Sequence, residues 1–309
     1  MTALAEVGCH LPASAVSIDT VGAAAGADER QMWTFRRFYG LNEVRRAPDL
    51  DLRDALGAAV GALTTLPGNE HRVRYVLYAR TVSQVAPAGD CPVEDVCAAA
   101  GLTRAVAFTL TQHGCATGLL ALDLAGRLLE DDGDPDALAL VLSGEKTFST
   151  ALQLIPESTV MGEATAAALV APHGERDRLL GYACRTEGRY AEDFPPDALD
   201  PAFLKEHNTL LAETVREAVE AAGVTLDDLA VVLPHNVNRL SWSWTCRELG
   251  LPLERVFLDN VPVTGHCFTA DPFVNHVHAR AAGRLRPGDL YLMAAVGLGA
   301  TFSAAVLRH

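Results

Sequence analysis

The sequence predicts an α/β protein built from two similar halves, residues 1–172 and residues 173–309. Short apolar runs alternate with longer amphipathic segments along the chain, and this alternation occurs twice. No low-complexity stretch or long linker separates the halves, so we expect them to share one compact body. With 309 residues, of which 49% are hydrophobic, the chain is long enough to bury a large core.

The elements of the first half follow from their apolar patterns. The helix after Cys115 carries leucines at 119, 120, 122 and 124, and Asp131-Asp132-Gly133-Asp134-Pro135 ends it. The run 137–142 is apolar on both faces, which is typical of a strand buried between helical layers. In order, we predict a strand at 7–11, a helix at 51–63, a strand at 73–78, a helix at 92–101, a strand at 105–110, a helix from 115 to about 129, and strands at 137–142 and 164–171.

The second half repeats this arrangement in outline. Its loop at 192–201 is rich in acidic residues and proline, and it precedes the longest helical pattern of the chain. In order, we predict a strand at 179–185, a helix at 202–222, a strand at 229–233, a helix at 238–249, a short strand at 255–258, a helix at 274–285, and strands at 290–296 and 301–307.

The overall charge argues against two classes of partner. The formal net charge is -14 at pH 7, whereas general binders of nucleic acid or of membrane surfaces need positive charge. The N-terminal segment has neither a charged start nor a long apolar run, so it predicts no signal peptide, and no run approaches the length of a membrane span. We therefore expect a cytoplasmic protein without nucleic acid or membrane as a partner.

The cysteine and histidine patterns indicate neither disulfides nor a metal. The seven cysteines are odd in number and show no CxxC spacing, as is typical of a protein in a reducing cytoplasm. His276 and His278 lie two residues apart on a helical pattern and face different directions, so we predict no metal site there.

Cys115 is the strongest candidate for a reactive side chain. It lies in the segment Gln112-His113-Gly114-Cys115-Ala116-Thr117-Gly118, between a predicted strand and a predicted helix. A thiol that opens a helix faces unpaired backbone N–H groups, and the helix dipole there favours the thiolate. The pattern therefore predicts a nucleophile for covalent acyl transfer, whereas most free cysteines are small buried hydrophobic residues.

Three further segments contain groups that could act together with a Cys115 nucleophile. His235 follows the buried run 229–233 directly before a helix, the same strand-to-loop placement as the thiol. His266 follows Gly265 in a turn. The segment Gly297-Leu298-Gly299 joins the last two strands and can bring backbone N–H groups close to a reacting carbonyl.

These segments resemble those of the thiolase superfamily, specifically the β-ketoacyl-acyl carrier protein synthase III group, over nearly the whole chain and in the family's order. The family's His-Gln-Ala-Asn-x-Arg stretch is similar to His235-Asn236-Val237-Asn238-Arg239, and its Gly-Asn-Thr-Ser turn to Gly265-His266-Cys267-Phe268. Weaker similarities are found at Tyr39-Gly40-Leu41-Asn42-Glu43-Val44-Arg45-Arg46, Ser143-Gly144-Glu145-Lys146 and Met161-Gly162-Glu163-Ala164-Thr165-Ala166.

The resemblance implies a thiolase-like fold, in which two α/β halves form a layered α-β-α-β-α body, and a homodimer. It implies that a thioester acylates Cys115 and that His235 is an acid/base or a hydrogen-bond donor. The backbone amides of Cys115, Leu298 and Gly299 would form the oxyanion hole. Coenzyme A or a carrier's phosphopantetheine would be a substrate, with no permanently bound cofactor. The residues expected to bind that group are Arg36, Arg37, Arg45, Arg46 and Asn238, although a solvated helix face explains the arginines equally well.

The sequence departs from the family pattern at the third catalytic position, which is asparagine in synthase III enzymes and His266 here. A Cys-His-His set resembles the chain-elongating ketosynthases, where two imidazole N–H groups hold a malonyl thioester oxygen during decarboxylation. Histidine also accepts a proton, which asparagine does not, so it could deprotonate a hydroxyl or amine acceptor. The middle glycine of the family's glycine-rich turn is Leu298 here.

Three functions follow from these features. The first is a specialised acyltransferase, belonging to secondary metabolism, that moves an acyl group from a coenzyme A or carrier-protein thioester through Cys115 to an acceptor. The second is decarboxylative Claisen condensation with a malonyl thioester. The third is a non-catalytic ketosynthase-like partner subunit, against which the retention of the cysteine and both histidines argues.

Several neighbouring residues have two interpretations each. His113 either tunes the thiol or, as is commoner at a strand end, caps or packs. Asp271 orients His266, replaces the family's missing asparagine, or caps the next helix before Pro272, and we favour the cap. Trp242 and Trp244 either line an acyl tunnel or pack in the core, and we favour the core. Cys267 is interpreted as a packing residue rather than a second nucleophile.

Overall fold

The protein is described by a computed structural model that covers residues 2–83, 85, 90–191 and 198–309. Most of the predicted acidic loop at 192–201 therefore lies outside the described residues. The strands are β1 (Ala3–His10), β2 (Ala15–Ser17), β3 (Glu43–Arg45), β4 (Val73–Ala79), β5 (Val106–Leu110), β6 (Leu138–Glu145), β7 (Leu154–Ile155), β8 (Thr159–Val160), β9 (Ala164–Ala171), β10 (Arg178–Thr186), β11 (Leu229–Pro234), β12 (Leu290–Gly297) and β13 (Thr301–Arg308). The helices are α1 (Ile18–Ala24), α2 (Glu29–Thr34), α3 (Leu52–Gly61), α4 (Pro92–Ala99), α5 (Thr117–Asp132), α6 (Pro201–Ala221), α7 (Arg239–Leu249), α8 (Val261–Thr264) and α9 (Asp271–Ala281).

Nine strands form one mixed sheet in the order β11-β12-β13-β10-β1-β9-β6-β4-β5. The run β4-β6-β9-β1 has one parallel pair followed by two antiparallel pairs, and the run β11-β12-β13-β10 has the same sequence of pairings. Between β1 and β10, the described residues pair in register at Ala3 and Arg178, and this pairing joins the two runs. The mixed α/β class is confirmed, and the division between residues 172 and 173 stays a prediction.

Apolar clusters order the helices and strands into layers. Leu138, Leu140 and Leu142 of β6 pack with α3 and α4, whereas the alternate residues Ala139 and Val141 join the cluster that contains α5 and α9. This alternation arises because successive side chains of a strand point to opposite faces. A further cluster packs α6 and α7 against β11, β12 and β13. The order is that of the predicted α-β-α-β-α body.

Most predicted elements are present to within a few residues, but the N-terminal region and one strand differ. The patterns missed α1, α2 and the π-helix Phe35–Tyr39 that follows them. The predicted strand at 255–258 is wrong: Leu253–Arg255 forms a 3-10 turn, and Val256 makes one isolated bridge to Val232. Within the described residues, no helix is both long enough and apolar enough to cross a bilayer.

Gly118 sets the spacing between α5 and the segment that carries His266. A Cβ atom at Gly118 would lie 2.8 Å from the carbonyl oxygen of Thr269 and 3.0 Å from the Phe273 ring. The first neighbour is backbone and cannot move aside cheaply, so only glycine permits this approach. Packing at this one position therefore holds the start of α5 beside residues 266–270.

We predict that Gly118→Ala destabilises the protein by about 1–3 kcal/mol because the added methyl group overpacks this contact. Gly57→Ala is the matched control, since Gly57 is also inside a helix but has open space around its Cβ position. That change should stabilise the protein by up to about 1 kcal/mol. Urea unfolding measures both variants, and equal stability of the two would contradict this account of the packing.

Candidate active site

Cys115 lies where the sequence predicts it, between a strand and a helix. β5 ends at Leu110, a 3-10 turn covers Gly114–Ala116, and the sixteen-residue α5 begins at Thr117. The thiol is buried. Its sulfur accepts a hydrogen bond from the hydroxyl of Thr81, with 3.3 Å between Oγ1 and Sγ.

His235 directly follows β11 and is also buried. Its backbone N–H donates to the carbonyl of Ala294 in the neighbouring strand β12 at 2.9 Å. The Trp242 indole packs edge-on against the His235 ring, with 5.6 Å between centroids, and donates to the His235 carbonyl at 3.0 Å. The expected core packing of Trp242 is therefore confirmed, and this packing fixes the histidine.

His266 enters the same space from the turn after α8. Its backbone N–H donates to the Val160 carbonyl at 3.1 Å, and Gly265 precedes it with a φ of 62° that favours glycine. The ring centroids of His266 and His235 lie 5.9 Å apart. Cys115, His235 and His266 line the same cavity, and Cys115 acts on the pKa of the His266 ring. The sulfur and both imidazoles therefore converge, although 120 residues separate Cys115 from His235 in the chain.

Asp271 is the orienting partner of His266. Its Oδ2 lies 2.5 Å from His266 Nδ1 and also accepts the backbone N–H of Asn236 at 2.6 Å. Its Oδ1 accepts the backbone N–H of Cys267 at 2.9 Å. The expected helix-capping role of Asp271 is wrong, because the N-cap of α9 is Ala270 and makes no side-chain cap bond. The carboxylate instead fixes His266 so that Nε2 is the ring atom available to the sulfur.

The two imidazoles have opposite electrostatic surroundings. Burial alone would lower the pKa of His266, but interactions with Cys115 and Asp271 outweigh it and raise that pKa to about 10. Burial, then the charge of His266 and the nearby His207 ring, hold the pKa of His235 well below its usual range. At neutral pH, His266 is therefore a charged partner for the sulfur, while His235 is a neutral imidazole that can take part in a hydrogen bond.

The glycine-rich turn after β12 touches the backbone at Cys115. A Cβ atom at Gly297 would lie 2.0 Å from the His113 carbonyl oxygen and 2.9 Å from the backbone nitrogen of Cys115. A Cβ atom at Gly114 would lie 3.4 Å from the backbone nitrogen of Leu298. The amides of Cys115 and Leu298 are thus close together, whereas their role in an oxyanion hole, with Gly299, stays a prediction.

A cavity of about 290 Å³ connects these groups. Its wall contains Cys115, His235, His266 and Leu298, and the rest is mainly apolar. Trp244 also lines the cavity and is 44% exposed, so the core packing expected for it is wrong. The further lining residues are Tyr39, Ile155, Glu157, Ser158, Thr159, Met161, Leu199, Phe203, Leu204, His207, Val237, Asn238, Leu240, Ser241 and Val296.

The four predicted coenzyme-binding arginines have different partners. Arg36 lies in the π-helix and pairs with Asp19, and Arg37 is exposed in the same turn. Arg45 donates to the carbonyls of Val263 and Ala13, at 3.1 Å each, and also pairs with Glu43. Burial lowers the pKa of Arg46. Among the described residues of the cavity wall, these four arginines are absent. Arg45 joins two loops, and a coenzyme-binding role of the four arginines stays a prediction.

Asn238 does line the cavity, but its side chain also has a structural use. Its Oδ1 accepts the Ser241 backbone N–H at 2.7 Å as the N-cap of α7, and its Nδ2 donates to the Ser158 carbonyl at 3.0 Å. A coenzyme-binding role for Asn238 stays a prediction.

Thr81 is a site residue that the sequence reasoning missed. It follows β4 closely, as Cys115 follows β5, and these two strands are parallel neighbours. The carboxyl ends of parallel neighbours lie at the same edge of a sheet, so the topology carries the signal that links the two residues. That signal needs the strand order, which the apolar pattern alone does not provide.

The remaining candidates lie elsewhere or pack. His113 Nδ1 lies 3.6 Å from the Cys184 sulfur. Cys267 is buried and its thiol contacts the Thr264 carbonyl at 3.7 Å, as expected of a packing residue. His276 faces Asp177 and His309 rather than His278, and these three buried side chains have the donor atoms of a possible metal site. In the structure, Asp177 instead accepts hydrogen bonds from both imidazoles and from Tyr291.

Comparison with known proteins places this geometry in a family. A sequence model described as the C-terminal part of 3-oxoacyl-[acyl-carrier-protein (ACP)] synthase III matches residues 219–309. The β-ketoacyl-[acyl-carrier-protein] synthase III of Rhizorhabdus wittichii is 32% identical over 253 residues, which cover 76% of each chain. The structure of β-ketoacyl-[acyl carrier protein] synthase III from Thermus thermophilus has a TM-score of 0.81, 25% identity and 99% coverage of both chains.

The fold is also similar to that of ChlB3, described as an acyltransferase. That comparison has a TM-score of 0.85 and 22% identity, and it covers 99% of this chain and 97% of ChlB3. The matched region of the family model includes both histidines and the glycine-rich turn, and the resemblance in motif order extends it to Cys115. The chain belongs to the β-ketoacyl-acyl carrier protein synthase III family, within the thiolase superfamily.

Proposed function

We propose that the protein is an acyltransferase that works through a Cys115 thioester, and that it serves a specialised biosynthetic pathway. The donor would be an acyl thioester of coenzyme A or of a carrier protein, and the acceptor a hydroxyl or amine. The observation that carries the proposal is the set of Cys115, His235 and His266 in one cavity, with one imidazole charged and the other neutral.

The first half-reaction uses the charged pair. The Cys115 thiolate attacks the thioester carbonyl, the carbon–sulfur bond to the donor breaks, and the departing thiolate takes the proton of His266. Acylation removes the negative charge of the sulfur, so the pKa of His266 falls and its ring becomes able to accept a proton. The enzyme is then an acyl thioester with two neutral imidazoles.

The second half-reaction restores the starting state. The acceptor hydroxyl or amine attacks the acyl carbon while His235 accepts a hydrogen bond from it and His266 takes the proton. The bond from the acyl carbon to Cys115 breaks, and the thiolate again faces a charged His266. One proton has entered with the acceptor and one has left with the donor thiol, so the cycle balances.

Decarboxylative condensation is the second candidate, and family membership favours it. The relative from Rhizorhabdus wittichii and the structure from Thermus thermophilus are both named β-ketoacyl synthase III. In that reaction, both rings would donate N–H groups to the thioester oxygen of a malonyl unit while carbon dioxide leaves. A histidine that can take a proton, in place of the family's asparagine, is the observation that leads us to put transfer to oxygen or nitrogen first. We also propose that the protein forms a homodimer, and this part of the proposal rests on the resemblance to the family.

Incubation with acyl-coenzyme A or acyl carrier protein should add one acyl group to Cys115, detected by intact mass and peptide mapping. Cys115→Ala should give no adduct, whereas Cys184→Ala, which removes an exposed thiol, should load normally. Failure of every thioester to load the wild-type chain would contradict the proposal and would favour a non-catalytic partner subunit.

The loaded enzyme separates the two reactions. Discharge by alcohol or amine acceptors without release of carbon dioxide supports acyl transfer. Release of carbon dioxide from a malonyl thioester, lost in His235→Ala and in His266→Ala, would instead establish condensation and overturn the first choice.

The charge on His266 should make the stability difference between Asp271→Asn and wild type depend on pH. A histidine whose pKa is raised to about 10 contributes stability that is fully present below pH 6.5 and is lost as the pH rises through 10. The variant should therefore be destabilised by about 3–5 kcal/mol at neutral pH, as is typical when a buried charge pair is broken. The difference from wild type should shrink as the pH rises above 10.

Asp227→Asn is the control for this measurement, because Asp227 is exposed in the turn before β11. Chemical unfolding at several pH values between 6 and 11 compares the three proteins. A destabilisation of Asp271→Asn that stays constant across that range would exclude a charged His266.

A further inference from the structure

Glu145 is a buried carboxylate that the proposed reaction does not use. It ends β6 in the Ser143-Gly144-Glu145 segment, and only 1% of its surface is exposed. Its carboxylate accepts the backbone N–H of Thr81, and it accepts the N–H of Val82 at 2.9 Å. Because β6 is the parallel neighbour of β4, Glu145 lies beside the loop that follows β4 and holds that loop by its backbone.

Thr81 links this carboxylate to the nucleophile. Its hydroxyl donates to the Cys115 sulfur at 3.3 Å. A hydroxyl donor stabilises a thiolate more than a thiol, because hydrogen bonds to a charged acceptor are the stronger ones. Thr81 lies outside the regular strand, so its hydroxyl keeps this direction only if its backbone is fixed.

We propose that Thr81 is a further catalytic residue, whose hydroxyl stabilises the Cys115 thiolate, and that Glu145 is the positioning residue that holds Thr81 in place. The inference rests on the proposed function only in taking Cys115 as the nucleophile. It holds whether the acyl-enzyme then undergoes transfer or condensation.

Several charged groups surround Glu145 and act on this arrangement. Burial raises the pKa of Glu145 to about 7, against the hydrogen bonds from Thr81 and Val82 and the attraction of Arg80. Glu145 in turn helps to raise the pKa of the buried Tyr78. Lys146, which pairs with Glu163, and His10 line a small cavity together with Glu145. The hydrogen bonds that Glu145 accepts from the backbone of Thr81 and Val82 are therefore strongest above pH 7, where the Glu145 carboxyl is ionised and is the better acceptor.

The test measures alkylation of Cys115 by iodoacetamide as a function of pH, resolved by peptide mapping because the chain has six other cysteines. Thr81→Val keeps the shape but removes the hydroxyl. It should slow alkylation of Cys115 at pH 7 by about tenfold, since a hydrogen bond to a charged group is worth at least that factor. The rise of the alkylation rate with pH should also move to higher pH. Thr81→Ser keeps the hydroxyl and should restore the rate to within about twofold of wild type.

Glu145→Gln retains one acceptor oxygen but no charge. It should therefore slow alkylation of Cys115 at pH 7 by a smaller factor, about three, and also move the rise of the rate to higher pH. Thr214→Val is the matched control, since it removes a buried threonine hydroxyl that bonds within α6, to the Leu210 carbonyl. Its profile should equal that of wild type. Circular dichroism confirms that each variant is folded, and the Thr81 pair decides the outcome if Glu145→Gln does not fold.

An unchanged profile in Thr81→Val, or equal profiles in Thr81→Val and Thr81→Ser, would overturn the catalytic role of Thr81. A normal profile in folded Glu145→Gln would overturn the positioning role of Glu145. Alkylation needs no acyl donor, so these results are independent of whether the protein transfers acyl groups.

Discussion

The active site depends on one buried carboxylate. Asp271 accepts four hydrogen bonds, from the His266 ring, from the backbone of Cys267, and from the backbone and side chain of Asn236. A buried carboxylate is costly unless its oxygens are satisfied, so these donors cannot leave without a penalty. Asn236 directly follows His235 in the chain. Asp271 therefore fixes both histidines relative to each other. Together with Cys115, it also raises the pKa of His266.

The sheet explains why residues so distant in sequence meet. Thr81, Cys115 and Glu145 end or follow β4, β5 and β6, which are parallel neighbours. His235 and Gly297 end or follow β11 and β12, which form the parallel pair of the other run. Parallel strands end at the same edge, so each of these two groups collects its own residues at one edge. The two groups run in opposite directions, because five antiparallel pairings lie between β6 and β12. The close approach at Gly118 places α5 against the segment that carries His266. The turn at Gly297 lies against the backbone of Cys115.

The sequence predicted the parts of this site that depend on local pattern and family resemblance. Apolar runs of distinct period identify the buried strands and the amphipathic helices, and Cys115, His235 and His266 stand at their ends. Local reasoning failed where a side chain is used across the fold. Asp271 looks like a helix cap beside Pro272, so the sequence favoured that role over the orientation of His266, which the structure shows. Arg45 looks like a surface cation, yet it joins two loops. Trp244 looks like a core residue, yet it lines the cavity. The sequence around Thr81 and Glu145 does not mark them as site residues, because only the strand order places them near Cys115.

The charge on His266 is the central physical claim, and a nitrogen-15 NMR titration of the histidine rings tests it most directly. The two ring nitrogens of an imidazolium have similar shifts, whereas those of a neutral ring differ widely. In the free enzyme, His266 should be an imidazolium at pH 7 and should lose its proton near pH 10, while His235 stays neutral throughout. After Cys115 is alkylated, the His266 transition should move to lower pH. A neutral His266 at pH 7 in the free enzyme would contradict the account.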